Sequence, residues 1–150
     1  MTTFQELWHN HPGRKMVCDE AVFQNQCAMR MGDALAKSRV VIPMQGLRTC
    51  VGYNKKRFEK HQPGHIRSAH QLAELLKTRP KLLGAATHLH VLKGTIADNL
   101  SQVSKMKGVL FIMNGWGSTD HIDVWSGSAL KGGDSSYFDK GSETWVWDLS

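Results

Sequence analysis

The amino-acid sequence predicts an α+β domain in which helices pack on one side of an antiparallel sheet. Apolar residues recur at helical spacing in three segments before Pro80, and three runs typical of strands, each bounded by Gly or Ser, follow Gly108. Helices followed by consecutive strands favour this class over folds in which strands and helices alternate. The length of 150 residues fits one domain, residues 1–150, and no repeat or linker indicates a second.

Three helices are indicated before the strands. The first lies in TTFQELWHN, where Thr3 begins a capping box. The second lies in QCAMRMGDALAKS, so Cys27 is near its N-terminus. The third begins with the capping box of Ser68 and Gln71 and ends before Pro80, which cannot continue a helix.

The strands are expected in the last third of the chain. The runs VLFIMN, DHIDVWSG and ETWVWDL begin at Val109, Asp120 and Glu143 and are rich in β-branched or aromatic residues. Residues 39–67 have no sustained period, which predicts mostly loop, and a weak helical pattern covers residues 99–105.

A net charge of +6 and an isoelectric point near 9.4 favour an acidic partner. Nucleic acid, a membrane surface, an anionic cell-wall polymer and an acidic protein all satisfy this charge. The sequence has no apolar run of bilayer length, and its start lacks the features of a signal peptide, so we expect neither a membrane span nor Sec export.

The three cysteines do not form a disulfide framework, because their number is odd. Cys18 and Cys50 are a possible disulfide pair, which leaves Cys27 as a thiol. Three reduced thiols in a reducing compartment are an equally good interpretation.

Cys27 is a candidate nucleophile because of its place at a helix start. The unpaired N–H groups and the dipole of a helix N-terminus stabilise a thiolate. Cysteine is also among the most buried residue types, so a packing role is the alternative.

His121 is a candidate base, since a strand that follows a glycine-rich turn can hold an imidazole rigidly at a cleft. Strand alternation puts His121, Asp123 and Trp125 on one face and Ile122 and Val124 on the other. A face with two polar side chains is either solvated or part of a site.

A third residue would orient the imidazole. We expect this residue to be Asp134, which follows the His121 strand and can approach the ring from a neighbouring element. Asp123 is the alternative, but a residue two positions along a strand points parallel to His121 and should reach its ring poorly.

A helix-borne Cys followed by a strand-borne His is the chain order of papain-like enzymes.

The segments FQNQCAMRMGDAL, IRSAHQLAELLK and GVLFIMNGWGSTDHIDVWSGS together resemble the fourth family of type VI secretion amidase effectors. These proteins have a papain-like fold related to the NlpC-type peptidases. The resemblance implies that Cys27 is the nucleophile and His121 the base. Asp134 fits the acid position only with a small gap, and Asp120 stands where the family usually has Gly.

The resemblance also implies a function. It predicts a peptidoglycan amidase that cleaves the stem peptide between D-glutamate and meso-diaminopimelate and needs no cofactor or metal. Such a toxin would leave through the type VI apparatus without a signal peptide and act in the periplasm of a target bacterium, where a Cys18–Cys50 disulfide could form. A cognate immunity protein, expected to be acidic, would block it. We expect Asp123, Trp116 and Trp125 to contact substrate.

Two other functions compete with this prediction. His88 and His90 alternate onto one strand face and could form a catalytic zinc site with His121. Alternatively, the basic run NKKRFEKHQPGHIR, with the aromatic residues Tyr53 and Phe58, could bind nucleic acid. If the amidase prediction is correct, neither nucleic acid nor a membrane is a partner.

Overall fold

The order of helices and strands differs in part from the predicted order, in which all strands follow the main helices. The computed structural model describes residues 2–51 and 64–150. Its α-helices are α1 (Phe4–Asn10), α2 (Cys27–Lys37), α3 (Ala69–Thr78) and α4 (Leu100–Val103). Its strands are β1 (His88–Lys93), β2 (Gly108–Trp116), β3 (Thr119–Trp125) and β4 (Glu143–Asp148). Thus β1 and α4 stand between the first three helices and the last three strands.

The predicted helix starts are confirmed. The Oγ1 atom of Thr3 accepts a hydrogen bond from the backbone N–H of Glu6 at 3.2 Å. In α3 the Oγ atom of Ser68 accepts from the N–H of Gln71 at 3.1 Å. Each bond satisfies one of the N–H groups that a helix start leaves without a partner. Helix α2 begins at Cys27 itself.

The four strands form one antiparallel sheet in the order β1-β4-β2-β3. The three predicted strand runs correspond to β2, β3 and β4. The run HLHVLK, which forms β1, was not among them, because its exposed and half-buried residues give a weak strand pattern at an edge of the sheet. β3 forms the opposite edge.

Both faces of the sheet are covered, and residues of the central strands alternate between two apolar clusters. On one face Leu7, Leu35 and Leu72 from α1, α2 and α3 pack against Phe111 and Trp147. The predicted α+β arrangement, with the N-terminal helices packed on one side of an antiparallel sheet, is confirmed. The second cluster, on the other face, includes Ile96, Val103, Leu110, Ile112 and Leu130.

The hairpin between β2 and β3 contains a register shift between Ile112 and Trp116. Asn114 adopts a positive φ of 53° within this shift, and its backbone N–H donates to Oδ1 of Asp120 at 2.7 Å. The irregular hairpin therefore ties Asp120, beside His121, to the opposite strand.

No helix among the described residues is long and apolar enough to cross a membrane.

Candidate functional site

Cys27 lies where α2 meets the edge strand of the sheet. Its side chain is only 5% exposed, and its Sγ atom is 3.8 Å from the backbone oxygen of Asp120, the residue before His121. The backbone N–H of Cys27 contacts Oδ1 of Asn25 at 3.3 Å. The start of α2 therefore brings the thiol to the strand that carries the histidine, as the candidate Cys and His pair requires.

His121 contacts both a carboxylate and the thiol. Its Nε2 atom is 2.7 Å from Oδ2 of Asp123. Burial alone would lower the pKa of His121, but hydrogen bonds with Asp123 and Cys27, and the negative charges of these groups, raise that pKa to about 9. The surroundings of His121 therefore stabilise its protonated form.

Asp123 is fully buried and held by backbone groups. Its carboxylate accepts hydrogen bonds from the N–H of Val124 at 2.7 Å and from the N–H of Gly132 at 2.9 and 3.1 Å. The expectation that Asp123 would reach His121 poorly is wrong. Residues two apart on a strand are separated by about 6.7 Å, and side chains that lean along the strand can close that gap.

Asp134 lies outside the His121 contact, contrary to the expected arrangement. It is exposed, pairs with Arg14 and accepts a hydrogen bond from the N–H of Ser136 at 2.9 Å. The bonds with Ser136 and Arg14 lower the pKa of Asp134 to about 2. Asp134 thus caps the short 3-10 helix Ser135–Tyr137, because the chain after the two glycines turns there instead of forming a strand beside His121.

His11 is a member of the site that the sequence pattern did not indicate. It is buried, and its Nε2 atom is 3.6 Å from Oδ1 of Asp123. Burial lowers the pKa of His11 to about 4, with the nearby Asp123 charge opposing this effect. Because Nδ1 of His11 accepts the N–H of Gly13 at 3.0 Å, the neutral ring carries its proton on Nε2, the atom that faces Asp123.

Of the three residues expected to contact substrate, the structure leaves only one exposed. Asp123 is buried under His121, and Trp125 is fully buried with its indole N–H donated to the backbone oxygen of Val103. Neither side chain is therefore open to a substrate, because residues 96–106 cover Trp125 and the loop that contains Gly132 covers Asp123. Trp116 is 39% exposed, and its ring centroid is 6.1 Å from that of His121.

Tyr137 is a further aromatic neighbour that the sequence pattern did not indicate. Its ring centroid lies 4.9 Å from those of both His121 and Trp116, with both contacts edge-on. These two aromatic side chains flank the imidazole and restrict its rotation.

An open cleft lies beside the thiol. Its lining includes Cys27 together with Asn25, Arg67, Ser68, His70, Thr119 and Asp120. Arg67 and His70 come from the start of α3 and the segment before it, so the cleft combines a nucleophile with groups that can carry positive charge. The arrangement can present a thiol, activated by a histidine, to an anionic substrate.

The prediction of a zinc site formed by three histidines is wrong, because the strands that carry them are far apart. His88 and His90 belong to β1 and His121 belongs to β3, and these strands are the two opposite edges of the sheet. Three strand spacings separate them, which is roughly 14 Å. For the nucleic-acid alternative, Tyr53, Phe58 and most of the basic run lie outside the described residues.

Cys18 and Cys50 lie together in a small buried cluster with Met29. Both are thiols in the structure. The two residues thus lie in one cluster, and a bond between their sulfur atoms stays a prediction.

A protein-family model covers most of the chain. Residues 23–147 match the family described as type VI secretion system (T6SS), amidase effector protein 4, or Tae4. The chain belongs to this family. The resemblance noted in the sequence is thereby confirmed, and the protein is an antibacterial amidase effector of the type VI system that acts on peptidoglycan.

Solved Tae4 structures share the fold. The Tae4 chain in the Tae4–Tai4 effector–immunity complex from Salmonella Typhimurium is 18% identical, with a TM-score of 0.69 and coverage of 100% of this chain and 99% of that one. The corresponding complex from Enterobacter cloacae gives 17% identity, a TM-score of 0.70 and the same coverage. The structure of the effector Tae4 from Enterobacter cloacae is 15% identical, with a TM-score of 0.66 and coverage of 100% of this chain and 98% of that one. No curated protein sequence matches the chain.

Proposed function

We propose that Cys27, His121 and Asp123 form a catalytic triad that hydrolyses an amide bond of the peptidoglycan stem peptide. The observation that carries this proposal is the position of His121, which contacts the thiol of Cys27 and hydrogen-bonds to the buried carboxylate of Asp123. Asp123 takes the orienting role for which Asp134 was the first candidate, because Asp134 pairs with Arg14 instead.

The two nitrogens of His121 have separate tasks. Nε2 is engaged by Asp123, so Nδ1 is the atom that accepts the proton of the Cys27 thiol. The raised pKa of His121 means that its surroundings favour the imidazolium that forms when the ring takes this proton. Asp123 stabilises the resulting imidazolium and fixes the orientation of the ring.

The reaction proceeds in two halves. The thiolate of Cys27 attacks the amide carbon, and a C–S bond forms while the carbonyl oxygen becomes an oxyanion. The backbone N–H of Cys27, at the start of α2, would donate to that oxygen once it releases Oδ1 of Asn25, its partner at 3.3 Å. As the C–N bond breaks, His121 gives its proton to the leaving amine.

Water completes the cycle. His121, now neutral, takes a proton from a water molecule that attacks the thioester carbon. The C–S bond breaks, a carboxylic acid is released, and the proton returns to restore the Cys27 and His121 pair. The residues that bind the acyl portion of the substrate undergo no covalent change.

The cleft beside Cys27 suits the bond between D-glutamate and meso-diaminopimelate. Each residue keeps one free carboxylate, the α-carboxylate of the γ-linked D-glutamate and the carboxylate at the far end of meso-diaminopimelate, and Arg67 and His70, which line the cleft, could pair with these charges. Trp116, exposed at the same end of the sheet, would pack against the stem peptide. This contact is the substrate role that we retain from the three residues first considered.

The site of action follows from the substrate. We expect delivery by the type VI apparatus and action in the periplasm of the target cell, where the stem peptides are exposed. We also expect an acidic cognate immunity protein, since the net charge is +6 and related Tae4 proteins are seen in complexes with Tai4.

Digestion of purified peptidoglycan tests the proposal, with products identified by mass spectrometry. The wild-type protein should release fragments that end in D-glutamate and begin with meso-diaminopimelate. Cys27→Ala and His121→Ala should release none while keeping the wild-type circular dichroism spectrum. Turnover by a folded Cys27→Ala protein would exclude the cysteine mechanism, and fragments with other termini would exclude the assigned bond.

A further inference from the structure

Three side chains with metal-binding atoms meet in a second cluster, separate from the catalytic residues. The Sγ atoms of Cys18 and Cys50 and a ring nitrogen of His65 all lie within 4.8 Å of one another. Both cysteines are buried and His65 is half-buried. Within residues 2–51 and 64–150, these are the three His, Cys, Asp or Glu side chains whose ligand atoms approach one another this closely.

The backbone holds Cys50 and His65 side by side. Thr49 and Ile66 form an antiparallel bridge, and the N–H of Cys50 donates to the backbone oxygen of His65 at 3.1 Å. The Sγ atom of Cys50 in turn accepts the N–H of His65 at 3.1 Å and lies 3.4 Å from its Nδ1 atom. Two donor atoms are therefore fixed by local hydrogen bonds.

Cys18 is held in place from the start of α2. The side chain of Gln26, which is fully buried, accepts the N–H groups of Val17 and Cys18 at 2.8 and 3.0 Å through Oε1. Its Nε2 atom donates to the backbone oxygens of Cys18 and Phe23 at 2.8 and 3.0 Å. The backbone that carries the third donor is thus held by a buried residue next to Cys27 in sequence.

The chemistry of these donors favours zinc. Two thiolates and one imidazole are a common ligand set for Zn²⁺, and tetrahedral bonds to them place the ligand atoms roughly 3.5 to 3.8 Å apart. The observed 3.4 Å between Cys50 and His65 is close to this spacing. Backbone N–H groups that point at ligand sulfur atoms, as at Cys50, are the kind of outer contact that orients metal ligands.

We propose that Cys18, Cys50 and His65 bind one zinc ion, with the fourth position of the tetrahedron filled by a ligand other than these three. A disulfide between Cys18 and Cys50 would use two of the three donors, whereas zinc uses them all. The ion would join the segment before α2 to the 48–50 and 65–67 segments and so stabilise the chain that leads to Cys27. The sequence led us to expect no metal, and this proposal changes that expectation for this cluster alone.

Zinc content of the full-length protein tests the proposal directly. Wild-type protein purified with Zn²⁺ and without a chelator should contain about one zinc per chain. Cys50→Ser and His65→Ala should lose most of it, whereas His88→Ala, an exposed histidine on β1, should keep it. Cys27→Ala should also keep its zinc, so that failure of the catalytic proposal would leave this result unchanged.

A second measurement avoids the risk that these variants misfold. After chelation of wild-type protein, addition of Co²⁺ should produce the absorption band of thiolate-bound cobalt, and Zn²⁺ should remove it and raise Tm by several degrees. Cys18 and Cys50 should resist alkylation with Zn²⁺ present and react after chelation. Absence of both zinc and the cobalt band would overturn the proposal, as would a Cys18–Cys50 disulfide in protein purified without reductant.

Discussion

Nε2 of His121 lies 2.7 Å from Oδ2 of Asp123, although only one residue separates the two along β3. The carboxylate is fully buried and also accepts the N–H groups of Val124 and Gly132. A buried charge of this kind persists because several donors compensate its lost hydration. The imidazole is therefore oriented by a fixed group within its own strand.

Asp123→Asn should lower kcat by about a hundredfold or more, because a neutral amide cannot stabilise the imidazolium of His121. Asp134→Asn is the matched control and should change kcat by less than about threefold, since Asp134 is exposed and paired with Arg14. Peptidoglycan hydrolysis by each folded variant measures this difference. A greater loss in Asp134→Asn would return the orienting role to that residue.

The rate of hydrolysis should fall as the pH rises through about 9. His121 has a pKa raised to about 9, so above that pH it lacks the proton that the leaving amine requires. Asp123→Asn removes a negative charge that raises this pKa, so it should move the alkaline decline to lower pH. Measurement of kcat/KM from about pH 6 to about pH 10 checks both statements. An alkaline decline that stays in place in Asp123→Asn would contradict the assigned cause.

His11 should make the fold sensitive to acid. Its pKa is lowered from 6.5 to about 4, so between these values the unfolded chain binds a proton that the folded chain excludes. The stability due to neutral His11 is present above pH 6.5 and is lost as the pH falls toward 4. In urea unfolding experiments, His11→Gln should lose less stability over this interval than wild type. His88→Gln, on exposed β1, should follow wild type, and parallel curves for all three proteins would refute the prediction.

The sequence predicts the fold well where local chemistry determines it. The capping boxes at Thr3 and Ser68 locate two helix starts because side-chain to backbone bonds act over three residues. Dense runs of β-branched and aromatic residues locate β2, β3 and β4. Strand β1 is missed since an edge strand buries little apolar surface, so its stability comes from pairing with β4.

In the site too, residues with a local sequence signal are predicted and residues placed by tertiary contacts are not. Cys27 and His121 can be proposed from a helix start and a strand pattern, which are local features. The choice of Asp123 depends on side-chain direction and on the N–H of Gly132, a partner from the following loop. His11 comes from the N-terminal segment and packs behind Asp123 through tertiary contacts. A single sequence carries no local signal for such contacts.

The cognate immunity protein should bind over the Cys27 cleft and inhibit hydrolysis. Covering the nucleophile requires fewer contacts than distorting the fold, and a chain of charge +6 should attract an acidic inhibitor. The association rate should therefore fall as salt concentration rises. Co-expression with the product of the neighbouring gene, followed by size-exclusion chromatography and binding kinetics, measures the complex.

Two variants that place tryptophan on exposed positions test where the inhibitor binds. Asn25 lines the cleft, so Asn25→Trp should weaken binding by tenfold or more, on the order of the loss from a blocked central contact. Val41 is 82% exposed and lies beyond the other end of α2, whose eleven residues span about 16 Å. Val41→Trp should therefore bind as wild type does. Equal weakening by both variants, or a basic neighbour that neither co-elutes nor inhibits, would contradict an acidic inhibitor over this cleft.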